Sequence, residues 1–351
     1  MTRNRYAFLD GIRGIAAIFV LTRHTENYWN FSLYRSYLAV DLFFILSGFV
    51  ISCAYDEKLK TGVISFKKFI TIRLVRLYPA FLVSLVICSI ILIFRTVSKH
   101  HENQMLLTEA VSLIIATAFF LPYKIGGNSD LFPINGPYWS LFFELVVNAI
   151  YAAARPLLNN FNLILIVIIS GSSVACVAYK HGNLDIGFRW GAESLIGGLS
   201  RSIFGIFLGL LLHRKHATIA NHFGKIISPW IAVSVIALVL ASPSAGSYDF
   251  IVDALIVIIA FPILIFIASQ GSSEKFEGLL IGLGAASYPI YVLHKPVGEI
   301  ASYGLKNITE IYAPLSGMAF VFALVFASVW FENWCDLPLR RGIYNRLYKK
   351  V

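Results

Sequence analysis

Apolar residues occur along this chain in long runs separated by short polar connections. A helix needs about 20 mostly apolar residues to cross the hydrocarbon core of a bilayer. The pattern therefore predicts an all-α, polytopic membrane bundle that forms a single domain over residues 1–351. The runs that approach this length are 8–29, 37–55, 77–95, 105–121, 137–154, 161–179, 195–213, 226–241, 250–269, 279–297 and 313–331.

Composition favours a membrane protein over a soluble one. Of the residues, 58% are hydrophobic and 14% are charged, whereas about a quarter of a soluble domain is charged. The net charge of +10 is also typical of nucleic-acid-binding proteins, but no predicted soluble module is present to read a groove. We therefore expect membrane lipids around the chain and no nucleic-acid partner.

Basic clusters at the ends of the runs predict the orientation, because Lys and Arg are concentrated on the cytoplasmic side of membrane proteins. Both termini and the connection 56–76 are predicted to be cytoplasmic, and residues 122–136 to lie outside. Two ends on one side require an even number of crossings. We predict about ten, with the short run 105–121 re-entrant or interfacial. The clusters are Arg3 with Arg5, 58–76, 214–225 and 340–350.

The first run is unusually polar for a membrane helix. Arg13 and His24 are eleven residues apart, so on a helix both lie on one face, about 16 Å apart along the axis. Ionisable residues inside a membrane usually have a functional role, and this face is expected to line a polar cavity. The alternative is structural: an Arg13–Asp10 pair and an interfacial His24 that only satisfy their neighbours.

Three further polar residues lie inside later runs. Asp41, near the outer end of the second run, is expected to pair with His24 or Arg23, or to act as a simple tether. Glu144 is predicted to lie in the outer half of its helix, at the depth of His24, and a His with a carboxylate forms a general-base pair. Arg201 also requires a partner or a cavity.

Two other segments suggest ligand binding. Arg73 and Arg76 are three residues apart at the predicted cytoplasmic face, and an Arg pair with this spacing suits phosphate groups. The alternative is that both residues only set the orientation. The segment 287–294, which ends at His294, supplies either hydroxyl groups for binding or packing contacts.

These segments together resemble the acyltransferase-3 family of membrane O-acyltransferases. That family begins with an Arg and a His separated by ten residues, as Arg13 and His24 are. The similarity covers nearly the whole chain, in order. Its motifs are LDGIRGIAA (9–17) continuing to His24, AVDLFFILSGFVIS (39–52), FITIRLVRLYPA (69–80), PYWSLFFEL (137–145), RSIFGIFLGLLL (201–212) and SYPIYVLHKP (287–296).

The resemblance implies a bacterial inner-membrane enzyme that uses acyl-CoA from the cytoplasmic side as its donor. The acceptor would be a glycan or a lipid-linked saccharide near the outer leaflet, and the acyl group an acetyl. His24 would be the essential residue. Two positions depart from the family pattern: Ala39 replaces a Gly, and Leu145 replaces an acid that often follows Glu144, which weakens a role for paired carboxylates. The supporting residues would be Arg13, Arg73, Arg76 and Glu144.

A thioester is already activated, so we expect no metal and no permanently bound cofactor. His24 is assigned as the general base, Glu144 as its partner, and Arg73 with Arg76 as ligands of the CoA phosphates. Arg13 would stabilise the donor or the oxyanion. An acyl-enzyme route and a transporter with an intramembrane Arg/His/Glu pathway are the alternatives. The residues assigned to substrate binding are Asp41, Tyr138, Trp139, Ser140 and His294.

Overall fold

The computed structural model describes residues 6–97, 106–223 and 227–348. These residues are 81% helical, and no strand occurs among them. Part of the predicted orientation depends on basic residues outside the described ranges. These are Arg3, Arg5, Lys225, Lys349 and Lys350.

The predicted apolar runs all contain helices. π-helical turns join α9 to α10 and α12 to α13, so each pair continues without a break. The helices are α1 (Ala7–Arg23), α2 (Ala39–Lys60), α3 (Phe66–Val97), α4 (Leu107–Ala118), α5 (Tyr138–Ala154), α6 (Asn160–His181), α7 (Ala192–Phe223), α8 (Pro229–Ala241), α9 (Asp249–Leu255), α10 (Phe261–Ser269), α11 (Glu277–Ile311), α12 (Leu315–Phe331) and α13 (Leu337–Tyr348).

Within the described residues, seven helical segments are long and apolar enough to cross a membrane, which confirms the predicted class of an all-α polytopic membrane bundle. The count of ten crossings stays a prediction. Helix α4, in the run predicted to be re-entrant, has 12 residues, too few to cross the hydrocarbon core as a single helix. The seven segments are Tyr34–Lys60, Phe66–Val97, Tyr138–Leu157, Asn160–His181, Ala192–Asn221, Gly246–Ser269 and Leu315–Tyr348.

Helices α2 and α7 run parallel and approach each other closely through glycines. A Cβ atom on Gly48 would lie 2.0 Å from the carbonyl oxygen of Ile206, and one on Gly209 would lie 2.0 Å from that of Ile45. Gly205 precedes Gly209 by one helical turn and faces Phe44 in the same way. Small residues spaced four apart allow membrane helices to pack backbone against backbone, and we call this contact the glycine seam.

Helices α1 and α11 also run parallel, and their contacts determine the position of His24. Gly14 lies against Leu283 near the start of both helices, and Thr25 lies against Gly298 further along. The start of α1 and the end of α13 lie at the same end of the bundle, because Tyr6 and Tyr344 line one cavity. We call this the terminal end, and the end that holds His24 the opposite end.

Buried ion pairs tie the helices together at both ends. At the terminal end, Asp56 of α2 accepts hydrogen bonds from Arg155 and Arg214. At the opposite end, Arg35 pairs with Asp249 and Asp253. Buried charges are tolerated only when they are paired and hydrogen-bonded, so these clusters fix which helices can be neighbours.

Candidate active site

A large cavity opens at the terminal end of the bundle. Its volume is about 910 Å³, and it lies between the start of α1, the end of α2, the start of α3 and helix α13. Five cations but only two carboxylates line it, so it favours an anionic ligand. We call it the basic cavity. Its charged residues are Asp10, Arg13, Lys58, Arg76, Glu332, Arg340 and Arg341.

The cations of the basic cavity differ in how they are held. Arg340 is paired with Glu332 and with Asp336, whose Oδ2 is 2.8 Å away. Arg13 lies 3.9 Å from Asp10 on its own helix, and both side chains are partly exposed. Arg341 is exposed on α13, at the wall of the cavity. The wall therefore combines paired and exposed cations, which suits a ligand with several phosphate groups.

A narrower inner pocket of about 60 Å³ continues from the basic cavity into the bundle. Arg13, Val50 and Arg76 line both spaces, so they form the boundary between them. The pocket brings together five predicted site residues from three helices, α1, α3 and α5. These are Arg13, Arg73, Arg76, Ser140 and Glu144, and the wall is completed by Ser47, Ser287, Tyr288 and Tyr291 among others.

Arg73 and Glu144 form an ion pair at the wall of the inner pocket. Arg73 is 3% exposed and Glu144 is 17% exposed, and Ser47 donates a hydrogen bond of 2.6 Å to Glu144 Oε1. Glu144 thus has Arg73 and Ser47 as its partners, and the described contacts include none between Glu144 and His24. Glu144 thus pairs with Arg73 of α3 and not with His24, the partner predicted from depth.

His24 ends α1 at the opposite end of the bundle and faces His294 of α11. The ring centroids are 5.2 Å apart with an interplanar angle of 32°. His24 is exposed, whereas His294 is fully buried. His294 Nδ1 lies 3.0 Å from the carbonyl oxygen of Ile290, which places the ring proton on Nδ1 and leaves Nε2 as an acceptor. We call His24 and His294 the histidine pair.

Tyr291 connects the inner pocket to the histidine pair. Its hydroxyl group lies 2.6 Å from Ser140 Oγ in the pocket wall, and its ring lies 6.3 Å from the ring of His294. The ring of Phe43 packs against the Tyr291 ring, with the two centroids 5.5 Å apart. A series of side-chain contacts therefore runs from the basic cavity, through the inner pocket and Tyr291, to the histidine pair, and we call it the polar column.

Asp41 belongs to the framework around this column. It accepts hydrogen bonds from Arg201 at 3.0 and 2.6 Å, so the predicted pairing of Asp41 with His24 or Arg23 is wrong. Arg23 instead pairs with Asp185 at 2.6 Å. The expectation that Arg201 has a partner is confirmed. The Trp139 ring faces the Arg201 guanidinium, whose Cζ atom lies 5.4 Å from the ring centroid.

Tyr138 is also buried away from the pocket. Its hydroxyl group donates a 2.7 Å hydrogen bond to Ser84.

The sequence did not reveal three cations of the basic cavity as site residues, because their charges were attributed to orientation alone. These are Lys58, Arg340 and Arg341. Among the described residues, no three His, Cys, Asp or Glu side chains form a group that suits a metal ion.

The fold and this arrangement define an integral membrane protein with a cavity lined mostly by cations at one end of its bundle. A family model described as an acyltransferase domain matches residues 6–332. The chain therefore belongs to the acyltransferase-3 family. It is a membrane O-acyltransferase, which moves acyl groups other than aminoacyl groups. Helix α13 begins after the matched region.

Two relatives with similar sequences are consistent with this family membership. The chain is 40% identical over 173 residues to "Protein 2 in picA locus" of Rhizobium radiobacter, an alignment that covers 46% of this chain and 90% of that protein. It is 23% identical over 370 residues to the peptidoglycan O-acetyltransferase OatA of Listeria monocytogenes, covering 97% of this chain and 57% of OatA. No solved structure is significantly similar to the chain.

Proposed function

We propose that this protein transfers an acyl group, most simply acetyl, from acyl-CoA to a hydroxyl group of a cell-envelope or exported glycan. The bacterial inner membrane would be its location, with the terminal end in the cytoplasm. The observation that carries the proposal is the shared wall of Arg13 and Arg76, which joins the basic cavity to the inner pocket. One elongated ligand can therefore be held by its phosphates outside and by its thioester arm inside.

The donor would lie along the polar column. Its nucleotide and phosphates fit the basic cavity, because five cations line that space. Arg13 and Arg76, at the boundary, would hold the diphosphate, and Lys58 with Arg341 would contact the adenosine end. The pantetheine arm is an extended chain, and its thioester end would enter the narrow inner pocket. Its thioester would point towards Tyr291 and the histidine pair.

His24 would act as the general base. It accepts the proton of the acceptor hydroxyl group as the oxygen attacks the thioester carbonyl carbon. The tetrahedral intermediate then expels the CoA thiolate, which takes the proton back from His24. His294 would orient the His24 ring, and Glu144 would hold Arg73 at the pocket wall. Ser140 is placed to contact the arm.

The test uses the purified protein in lipid nanodiscs with acetyl-CoA carrying a labelled acetyl group. We expect the label to appear on glycan and free CoA to be released in equal amounts, both dependent on His24. Transport of acetyl-CoA across vesicles without release of CoA would instead indicate a transporter. Mass spectrometry of envelope glycans from cells with and without the gene identifies the acceptor.

A further inference from the structure

The connection between α6 and α7 is a well-held loop at the opposite end of the bundle. Leu184 N–H donates to Asp253 Oδ2 at 3.0 Å, and Arg201 donates to the Ile186 carbonyl group at 2.6 Å. Trp190 N–H donates to the Ser129 carbonyl group at 2.7 Å. Backbone groups of the loop are thus tied to three other segments, so its shape is fixed before any ligand binds.

A cavity of about 460 Å³ lies against this loop, and we call it the loop cavity. Its lining combines an indole with carboxylate, amide, hydroxyl and guanidinium groups. The Trp190 Nε1 atom is buried and has no acceptor among the described residues. An aromatic ring beside such donors and acceptors is suited to a ligand with one apolar face and several hydroxyl groups. The polar residues of the lining include Asn183, Asp185, Arg189, Glu193 and Ser194.

The charges of the loop cavity are close to balanced, unlike those of the basic cavity. Asp185 is paired with Arg23, and Glu193 lies 3.7 Å from His181. Arg189 lies with its guanidinium 5.2 Å from the ring of Phe188. A cavity with this balance gives no advantage to a phosphate or polyanion. It favours an uncharged polar ligand.

The loop cavity is linked by a side-chain contact to the residue that precedes His24. Arg23 directly precedes His24 in the sequence, and its guanidinium contacts Asp185 in the cavity wall at 2.6 Å. The same guanidinium lies 5.1 Å from the ring of Tyr37 and donates to the Tyr34 carbonyl group. A ligand in the loop cavity therefore lies one side chain away from the residue before His24.

We propose that the loop cavity binds a neutral pyranose unit of the acceptor glycan. The apolar face of the sugar would stack on Trp190, and its hydroxyl groups would bond to Asn183, Asp185 and Glu193. This proposal rests on the proposed function, because it assigns the acceptor to the end of the bundle where His24 lies. It gives the enzyme a second substrate site, chemically distinct from the basic cavity.

The test measures sugar binding without donor, so it does not depend on turnover. The protein in nanodiscs is mixed with chitotetraose or cellotetraose, and binding is followed by saturation-transfer difference NMR. We expect binding of at least one oligosaccharide, weakened at least about tenfold by Trp190→Ala and by Glu193→Gln. Trp230→Phe is the matched control, because Trp230 packs on Phe8 and Phe276 instead.

Two results would overturn the proposal: no binding of either oligosaccharide by the parent protein, or unchanged binding by both variants. Glu193 is 57% exposed, so Glu193→Gln should fold normally even if Trp190→Ala does not. A second arm compares the oligosaccharide free and attached to a lipid; tighter binding of the lipid form identifies a lipid-linked acceptor, and equal binding a free polymer. Failure of labelled acetyl transfer with intact sugar binding would contradict only the proposed reaction.

Discussion

Arg201 of α7 and Asp41 of α2 form a buried ion pair towards the opposite end of the bundle. Arg201 Nη2 lies 2.6 Å from Asp41 Oδ2, and the two side chains are 2% and 1% exposed. Arg201 also donates to the Ile186 carbonyl group, in the loop between α6 and α7. The pair therefore fixes the register of the glycine seam and supports the loop beside the candidate acceptor site.

Replacing Asp41 by Asn should destabilise the protein strongly, because the Arg201 charge would remain buried without a counter-charge. Breaking a buried pair costs about 3–5 kcal/mol. We expect a lower yield of monodisperse protein and a lower unfolding temperature in detergent. Glu57→Gln is the control, since Glu57 is 75% exposed and surface changes cost under about 0.5 kcal/mol. Equal thermal stability of Asp41→Asn and the parent would contradict this role.

The helices within the apolar runs were predictable because each run is encoded locally in the sequence. The partners of the buried charges were not, because they depend on which helices become neighbours. Asp41 and Arg201 are 160 positions apart, and periodicity places each residue on a face of its own helix only. The same holds for Arg73 and Glu144, 71 positions apart. Their pairing required the packing of α3 against α5.

The role of α13 was missed for a different reason. Arg340 and Arg341 already had a sufficient explanation, since basic residues beside a span indicate its cytoplasmic end. The structure adds that α13 packs against α3 and lines the basic cavity. A motif search gives no signal here, because α13 begins after the region matched by the family.

Arg341→Gln should weaken the use of acetyl-CoA without affecting acetyl-pantetheine, which lacks the nucleotide. A hydrogen bond to a charged group contributes about 1.5–3 kcal/mol, so the KM for acetyl-CoA should rise at least about tenfold, with kcat nearly unchanged. Arg346→Gln is the matched control on the same helix, outside the residues that line the cavity. A rise of equal size for both donors would show that Arg341 acts on folding or on the thioester arm.

Arg73 and Arg76 should respond differently to the same substitution. Arg76→Lys keeps the charge but loses the planar fork, so the KM for acetyl-CoA should rise because Arg76 lines both donor spaces. Arg73→Lys should mainly lower stability and kcat, because Arg73 already forms an ion pair with Glu144. Steady-state kinetics and thermal unfolding of both variants check this. Identical profiles for the two variants would contradict the division of roles.

The proposed orientation places the terminal end in the cytoplasm. In a background without native cysteines, Asn128→Cys should react with a membrane-impermeant maleimide in intact cells. Leu347→Cys, at a side chain that is 53% exposed, should react only after the membrane is permeabilised. The two positions serve as controls for each other, because both side chains are exposed. Labelling of Leu347→Cys in intact cells would reverse the assignment of donor and acceptor sides.

His24→Ala should abolish acyl transfer while the protein still inserts and folds. The described contacts of His24 include no ion pair, and its ring is exposed, so its removal leaves no buried charge without a partner. Loss of a general base lowers kcat by about 10²–10⁴-fold. Labelled acetyl transfer by the purified variant measures this, and Asn27→Ala, an exposed neighbour in the same connection, is the control.

Comparing Glu144→Gln with His24→Ala separates an effect on catalysis from an effect on stability. The Gln side chain cannot neutralise Arg73, so this variant should lose both activity and stability, whereas His24→Ala loses activity alone. The two variants are compared by transfer rate and by unfolding temperature in the same nanodiscs. If His24→Ala transfers acetyl at close to the parent rate, His24 is not the base. If Glu144→Gln is inactive but fully stable, Glu144 acts in the reaction itself and not through Arg73.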